Sequence, residues 1–192
     1  MGKLILISGP NNSGKSRFAE CLICAAAGEE RCYLATMIPK TEDNRARIEK
    51  HRRQRAGLCF RTLETPYRVG DTAVPPEASV LVEDVSNLLG NAMFERGGDA
   101  DSVFDDIRML REKCALLVAV TISGLSPEGY EGETAAYINA LNRLNARLFD
   151  AADLAAEMRQ SKPYLTKGEP DETLERVSGG AFDLQRDPDA AL

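Results

Sequence analysis

An aliphatic run, Leu4-Ile5-Leu6-Ile7, leads into Gly9-Pro10-Asn11-Asn12-Ser13-Gly14-Lys15-Ser16, and Arg17-Phe18-Ala19-Glu20-Cys21-Leu22-Ile23 follows with the composition of a helix start. Strand, glycine-bounded loop and helix in that order make a P-loop. Small residues let successive backbone N–H groups curl around a phosphate, and the helix N-terminus adds its positive end. Lys15 is placed to reach the outer phosphates of a nucleoside triphosphate, and the Ser16 hydroxyl to ligate Mg2+. A chain that spends its first strand and helix this way needs further parallel strands beside that first one to bury it, which points to an α/β sandwich.

The rest of the chain supplies them. Leu4–Ser8, Cys32–Thr36, Ser79–Asp84 and Ala115–Thr121 are short apolar runs that read as buried parallel strands, with Phe60–Glu64 as a weaker fifth. Helical patterning covers Lys15–Ala27, Glu42–Ala56, Ser86–Glu95, Asp101–Lys113 and Glu133–Ala152. Strands alternating with helices imply βαβ crossovers. The expected fold is a three-layer P-loop NTPase (RecA-like) α/β sandwich with a mostly parallel central sheet. A single nucleotide-binding domain is expected over residues 1–167. From Gly168 to Leu192 the chain is acidic and poor in large apolar residues, so a mobile tail is expected there.

A net charge of -6 argues against a broad basic nucleic-acid surface. Five cysteines, an odd number scattered over helix and strand, suit reduced thiols better than a disulfide framework. Cys21 and Cys24 form a C-x-x-C inside a helix with no second pair nearby, and read as small core residues rather than a zinc site. Only four aliphatics follow Lys3 before Ser8, which does not make a signal peptide, and no apolar run reaches the length of a membrane span. A cytoplasmic location is expected.

A P-loop leaves the reaction open. The metal in such sites is usually helped by an acid at the end of a second apolar strand. Ser79-Val80-Leu81-Val82-Glu83-Asp84 offers two, and because side chains alternate along a strand they are not both expected to face the site. Capping of the helix near Ser86 is the structural alternative for one of them. The other informative segment is Arg45-Ala46-Arg47-Ile48-Glu49-Lys50-His51-Arg52-Arg53-Gln54-Arg55. His51 is the single histidine of the chain, so it cannot belong to a multi-histidine metal site. Neighbouring arginines favour its neutral form and attract phosphate, and a neutral imidazole beside a bound triphosphate is a competent nucleophile at phosphorus. A solvated basic helix with an idle histidine accounts equally for the same composition.

Taken together, the P-loop, Cys32-Tyr33-Leu34-Ala35-Thr36, Arg47-Ile48-x-x-His51 with Arg55, Arg61-Thr62-Leu63-Glu64-Thr65-Pro66, and Val80-Leu81-Val82-Glu83 through Asn91 resemble the adenosylcobinamide kinase/adenosylcobinamide-phosphate guanylyltransferase family of cobalamin biosynthesis. The resemblance implies two linked reactions. A nucleoside triphosphate, ATP or GTP, phosphorylates the corrinoid adenosylcobinamide on its aminopropanol hydroxyl. GMP then passes from GTP to that phosphate through a guanylyl-histidine. Carried over by motif position, His51 is the guanylylated nucleophile and Gly9 to Ser16 with Arg17 bind triphosphate. Thr36, Arg52, Arg53, Arg55, Glu64 and Glu83 lie at or near the guanine nucleotide, with Ser16 and Glu83 toward Mg2+. The resemblance also implies a homo-oligomer, with a homotrimer as its form.

The second half departs from that pattern. Ile122-Ser123-Gly124-Leu125-Ser126-Pro127-Glu128-Gly129 stands where family members carry an Asn-Glu-Val-Gly-type segment, and Asp153 to Gln160 is poor strand material where an aliphatic strand is expected. A divergent P-loop kinase without guanylyl transfer and a non-catalytic nucleotide-binding relative are the alternative readings.

Overall fold

The computed structural model describes residues 1–26, 28, 30–178 and 182–187. In chain order the elements are β1 (Lys3–Ser8), α1 (Lys15–Ala25), β2 (Arg31–Ala35), α2 (Glu42–Gln54), β3 (Arg61–Glu64), β4 (Ser79–Glu83), α3 (Val85–Glu95), α4 (Ala100–Glu112), β5 (Leu116–Val120), α5 (Gly132–Ala151), β6 (Leu154–Arg159), β7 (Lys162–Lys167), α6 (Glu172–Ser178) and β8 (Gln185–Arg186). The strands join one sheet in the order β3-β2-β4-β5-β1-β6-β7-β8. From β3 to β6 every pairing is parallel, and β6 with β7 is antiparallel.

Each face of that sheet is covered separately. Leu6, Val80, Val82 and Ala119 pack with Leu88 of α3, Ile107 of α4 and Leu141 and Leu144 of α5 on one side. Ile5, Ile7, Leu81 and Val118 pack with Phe18 and Leu22 of α1 and with Leu174 and Val177 of α6 on the other. Central strands buried on both faces read as unbroken aliphatic runs, which is why β1, β4 and β5 were legible. The result is the three-layer P-loop NTPase sandwich, with the P-loop, the end of β2 and the end of β4 all at the carboxyl edge of the sheet, where open α/β sheets bind ligands.

Two expectations about the C-terminal part differ from what is observed. Leu154–Arg159, expected to be poor strand material, is β6. It is hydrogen-bonded to β1 from Ile5↔Leu154 to Ser8↔Glu157 and to β7 on its other edge. Alanine is a weak strand former in isolation, but Leu154, Ala155, Ala156 and Met158 are all buried here, and fit between neighbours decides strand identity at such positions. The stretch from Gly168, expected as a mobile tail, contributes α6 on the face of α1. Lys3 pairs with Asp171, Arg176 donates to the Ala25 carbonyl, and the Phe182 ring stands edge-on to Phe18 at 5.0 Å. The spacing of Leu174 and Val177 puts both on the buried side of a helix only two turns long. Ala27, expected as the last residue of the first helix, and the tail segments 179–181 and 188–192 lie outside the described residues.

Leu174 is 0% exposed, and so Leu174→Ala is expected to cost about 2–4 kcal/mol in a chemical denaturation series. A loss below about 0.5 kcal/mol, the size of an ordinary surface substitution, would favour the mobile tail instead.

Candidate active site

The P-loop starts at Gly9, whose φ is 146°, and Gly14 at φ 91° caps α1. A Cβ on Gly9 would stand 2.7 Å from the Met158 carbonyl oxygen, so β6 presses the loop into a space only glycine fits. Lys15, 8% exposed, folds back across the loop and donates from Nζ to the Pro10 carbonyl at 2.7 Å. Burial lowers its pKa, while the Asp84 and Glu83 carboxylates push it back up. The Ser16 hydroxyl donates to Glu83 Oε1 at 2.8 Å, and Glu83 Oε2 is buried without a hydrogen-bond partner. Burial raises the Glu83 pKa, Asp84 adds to the effect, and Ser16 and Lys15 oppose it. A hydroxyl and a carboxylate converging at the foot of a P-loop, with one buried oxygen left over, are a donor set suited to a hard divalent cation.

Glu83 and Asp84 both face the cleft, contrary to expectation. Alternation fails because β4 ends at Glu83. Asp84 is already the N-cap of α3, accepting at Oδ1 from the Asn87 N–H at 2.7 Å and from the Ser86 hydroxyl at 2.5 Å. Capping and facing the site are therefore compatible in one residue.

Opposite the P-loop stands α2. Arg47, Lys50, His51 and Gln54 close the cleft over Asn11 to Arg17, with Ile122 at its edge, around a volume of about 260 Å³. Positions 47, 51 and 54 lie on one helical face, the i, i+4, i+7 stripe. The stripe is polar because it faces a polar ligand site, not the core. His51 Nδ1 is buried and has no partner. Burial lowers the His51 pKa, Arg55, Arg47 and Lys50 lower it further, and Asp84 alone pulls the other way. Burial and the surrounding cations therefore favour the neutral imidazole over the charged one.

His51 also borders a second hollow behind α2, lined by Tyr33, Arg52, Arg55, Glu64 and Asn87. Arg55, 8% exposed, lies over the Tyr33 ring at 3.3 Å, and its Nε and one terminal nitrogen are buried without partners. Arg52 and Glu64 approach to 3.7 Å at the rim. Beyond them the hollow widens between Met37, Ile38, Pro39, Ile48 and Pro66 to about 630 Å³. One imidazole thus stands between a phosphate cradle and a roomier, more apolar chamber.

Of the residues expected at the site, Asn11, Asn12, Ser13, Gly14, Lys15, Ser16, Arg17, His51, Arg52, Arg55, Glu64 and Glu83 line these spaces, while Gly9 and Pro10 shape the loop from behind. Thr36 does not line them. It is 0% exposed, with its hydroxyl 2.9 Å from the Glu83 carbonyl oxygen and 2.8 Å from that of Asp84, bracing the end of β4. Arg53 points outward and pairs with Glu49 one turn back. Asn91, by contrast, ties two loops together, donating to the Thr36 and Pro66 carbonyls. Tyr33, Lys50 and Gln54 carried no expectation of ligand contact, whereas Asp84 was one of the two acids offered to the metal and Arg47 part of the basic segment around His51. Helical periodicity from His51 could have found Arg47 and Gln54, whereas the Tyr33–Arg55 stack joins β2 to the end of α2 and leaves no local signal.

The divergent segment is braced rather than loose. The Ser123 N–H donates to the Gly9 carbonyl and its hydroxyl to Glu157, while α5 holds the segment through Asn145 to Ile122 and Asn142 to Leu125. Among the described residues no helix is long and apolar enough to cross a membrane.

The family model for cobinamide kinase/cobinamide phosphate guanyltransferase matches residues 5–162. Over 173 residues the chain is 31% identical to the bifunctional adenosylcobalamin biosynthesis protein CobU of Salmonella typhimurium, spanning 78% of this chain and 92% of that one. It is 36% identical over 101 residues to the protein of the same name from Escherichia coli, spanning 51% and 54%. Among solved structures, a prototypical ATPase from a bacterial type III secretion system superposes with a TM-score of 0.47 at 12% identity, over 93% of this chain and 62% of that one.

Proposed function

This chain belongs to the cobinamide kinase/cobinamide phosphate guanylyltransferase family, and we propose that it carries out both reactions, with His51 as the covalent carrier of GMP. The observation that carries the reading is the placement of the chain's single histidine, its Nδ1 buried and without a hydrogen-bond partner, across one cleft from Lys15 and Ser16.

In the kinase step, Lys15 and the N–H groups of Asn11 to Ser16 hold the triphosphate while the cobinamide hydroxyl attacks the γ-phosphorus. The new O–P bond forms, the β–γ P–O bond breaks, the nucleoside diphosphate leaves and the hydroxyl proton passes to solvent. In the transferase step, a lone pair of the His51 imidazole attacks the α-phosphorus of GTP. A P–N bond forms, the α–β P–O bond breaks, and pyrophosphate leaves. An oxygen of the cobinamide phosphate then attacks the same phosphorus, and the electron pair of the P–N bond returns to the imidazole. Arg47, Arg52 and Arg55 spread positive charge around the phosphorus, where it develops negative charge in either direction. Ser16 and Glu83 would hold Mg2+, which neutralises charge on the triphosphate oxygens.

Incubation with GTP and Mg2+ should raise the intact mass by one GMP. At GTP concentrations well below saturation, where the rate reports the free protein, the initial rate of adduct formation, quenched in alkali, should be low in acid, where the imidazole is protonated. It should rise as pH climbs through the lowered His51 pKa and level off with its midpoint below the ordinary histidine value of about 6.5. A midpoint above that value would contradict the electrostatics. Nucleotide turnover with cobinamide but no adduct would favour the kinase-only reading, and tight GTP binding with neither would favour the non-catalytic one.

A further inference from the structure

The span of α2 contains no buried residue, so no apolar face fixes the helix that carries His51. Its N-terminal end is tied by the Thr41 cap and by Asn44, which donates to the Ile38 carbonyl. Its other end, where His51 sits, docks through two polar residues. Gln54 Nε2 donates to Glu20 Oε2 at 2.6 Å, and Arg55 lies on Tyr33. Glu20 is on α1, one turn after Ser16, and is 1% exposed, unusual for a carboxylate without a full set of partners. Its Oε1 is buried and unbonded, as are two nitrogens of Arg55.

We propose that Glu20 is a positioning residue for guanylyl transfer: from the P-loop helix it clamps the C-terminal end of α2 through Gln54 and the charge of Arg55, and so sets His51 at a fixed reach from the bound triphosphate. The clamp joins the helix that holds the phosphates to the helix that holds the nucleophile, so one carboxylate coordinates the two halves of the site. Arg17 and Arg55 both attract the Glu20 carboxylate, while burial opposes its charge. The inference rests on the proposed role of His51.

Three variants test it: Glu20→Ala, Gln54→Ala, and the exchange Glu20→Gln with Gln54→Glu, which restores a carboxylate–amide pair in the reverse sense. Rapid-quench measurement should show adduct formation about 10- to 100-fold slower in the two alanine variants, the cost of misplacing a reacting group by an ångström or so. In Glu20→Ala the dissociation constant for GTP should stay within about threefold of the parent, because the loss is in placement and not in binding. The exchange should recover most of the rate. Because the chain has one histidine, its carbethoxylation by diethyl pyrocarbonate reports α2 directly, and should be several-fold faster in both alanine variants. Unchanged adduct rates, or a GTP affinity that falls in step with the rate, would overturn the proposal. If the parent protein forms no adduct, the assignment of His51 as nucleophile fails. Carbethoxylation then decides the clamp alone, and equal rates in all four proteins would refute it.

Discussion

His51→Ala is expected to abolish the GMP adduct and to lower guanylyl transfer by at least about 10⁴-fold, the scale on which removal of a covalent nucleophile is felt. Phosphoryl transfer to cobinamide should fall far less, because Lys15, Ser16 and the loop amides remain and the γ-phosphorus is attacked by the substrate's own hydroxyl. The ratio of the two activities is therefore the informative quantity. The chain holds no second histidine to take over. Lys50, which shares the cleft, stands among Arg47, His51 and Gln54 as a second cation. His51→Asn, closer in shape and unable to form a stable phosphoramidate, should match the alanine variant. The check is radiolabelled GTP followed into protein and into product separately, with melting temperature measured alongside. Equal loss of both activities would mean that His51 serves nucleotide binding in general. Retention of guanylyl transfer would mean direct attack by the cobinamide phosphate on GTP, with no covalent stage.

How much of this was legible before the fold was known follows from where each signal is stored. The P-loop is local, so its strand, loop and helix could be read from consecutive residues. The doubly covered strands β1, β4 and β5 announce themselves because both faces demand aliphatic side chains. The dense charge of Glu42 to Ala56 suits a solvated or site-lining helix better than a core one, and no residue of α2 is buried. What escaped depends on partners distant in sequence. β6 is a strand because β1 and β7 offer it hydrogen bonds on both edges, not because alanine and glutamate favour extension. Thr36 matches a family motif, yet its hydroxyl is turned to the backbone beyond Glu83. Glu20 sits where an amphipathic helix would ordinarily carry an apolar residue, and only the arrival of Gln54 from α2 explains a carboxylate there.

Lys15→Ala should remove both activities together, which makes it the counterpart of the histidine variant. The ammonium lies across the phosphate loop, 2.7 Å from the Pro10 carbonyl, within the field of the Glu83 and Asp84 carboxylates. A bound triphosphate takes over the hydrogen bonds that Pro10 now accepts, so the side chain is already folded into the loop and loses little freedom on binding. Both transition states place added charge on non-bridging or leaving oxygens within its reach. Losing one such preorganised charge costs about 10²–10³-fold in rate. Nucleotide affinity should weaken as well, since two carboxylates would then face the triphosphate with their nearest counter-charge gone. Lys15→Arg is not expected to rescue, because a planar guanidinium cannot occupy the 8% exposed space that a point charge on a slender stem now fills. Steady-state kinetics of both half-reactions and calorimetric titration with GTP provide the check. If guanylyl transfer survived while phosphorylation was lost, the two reactions would use separate triphosphate sites, and the single cleft shared by His51 and the P-loop would not be where GTP binds for transfer.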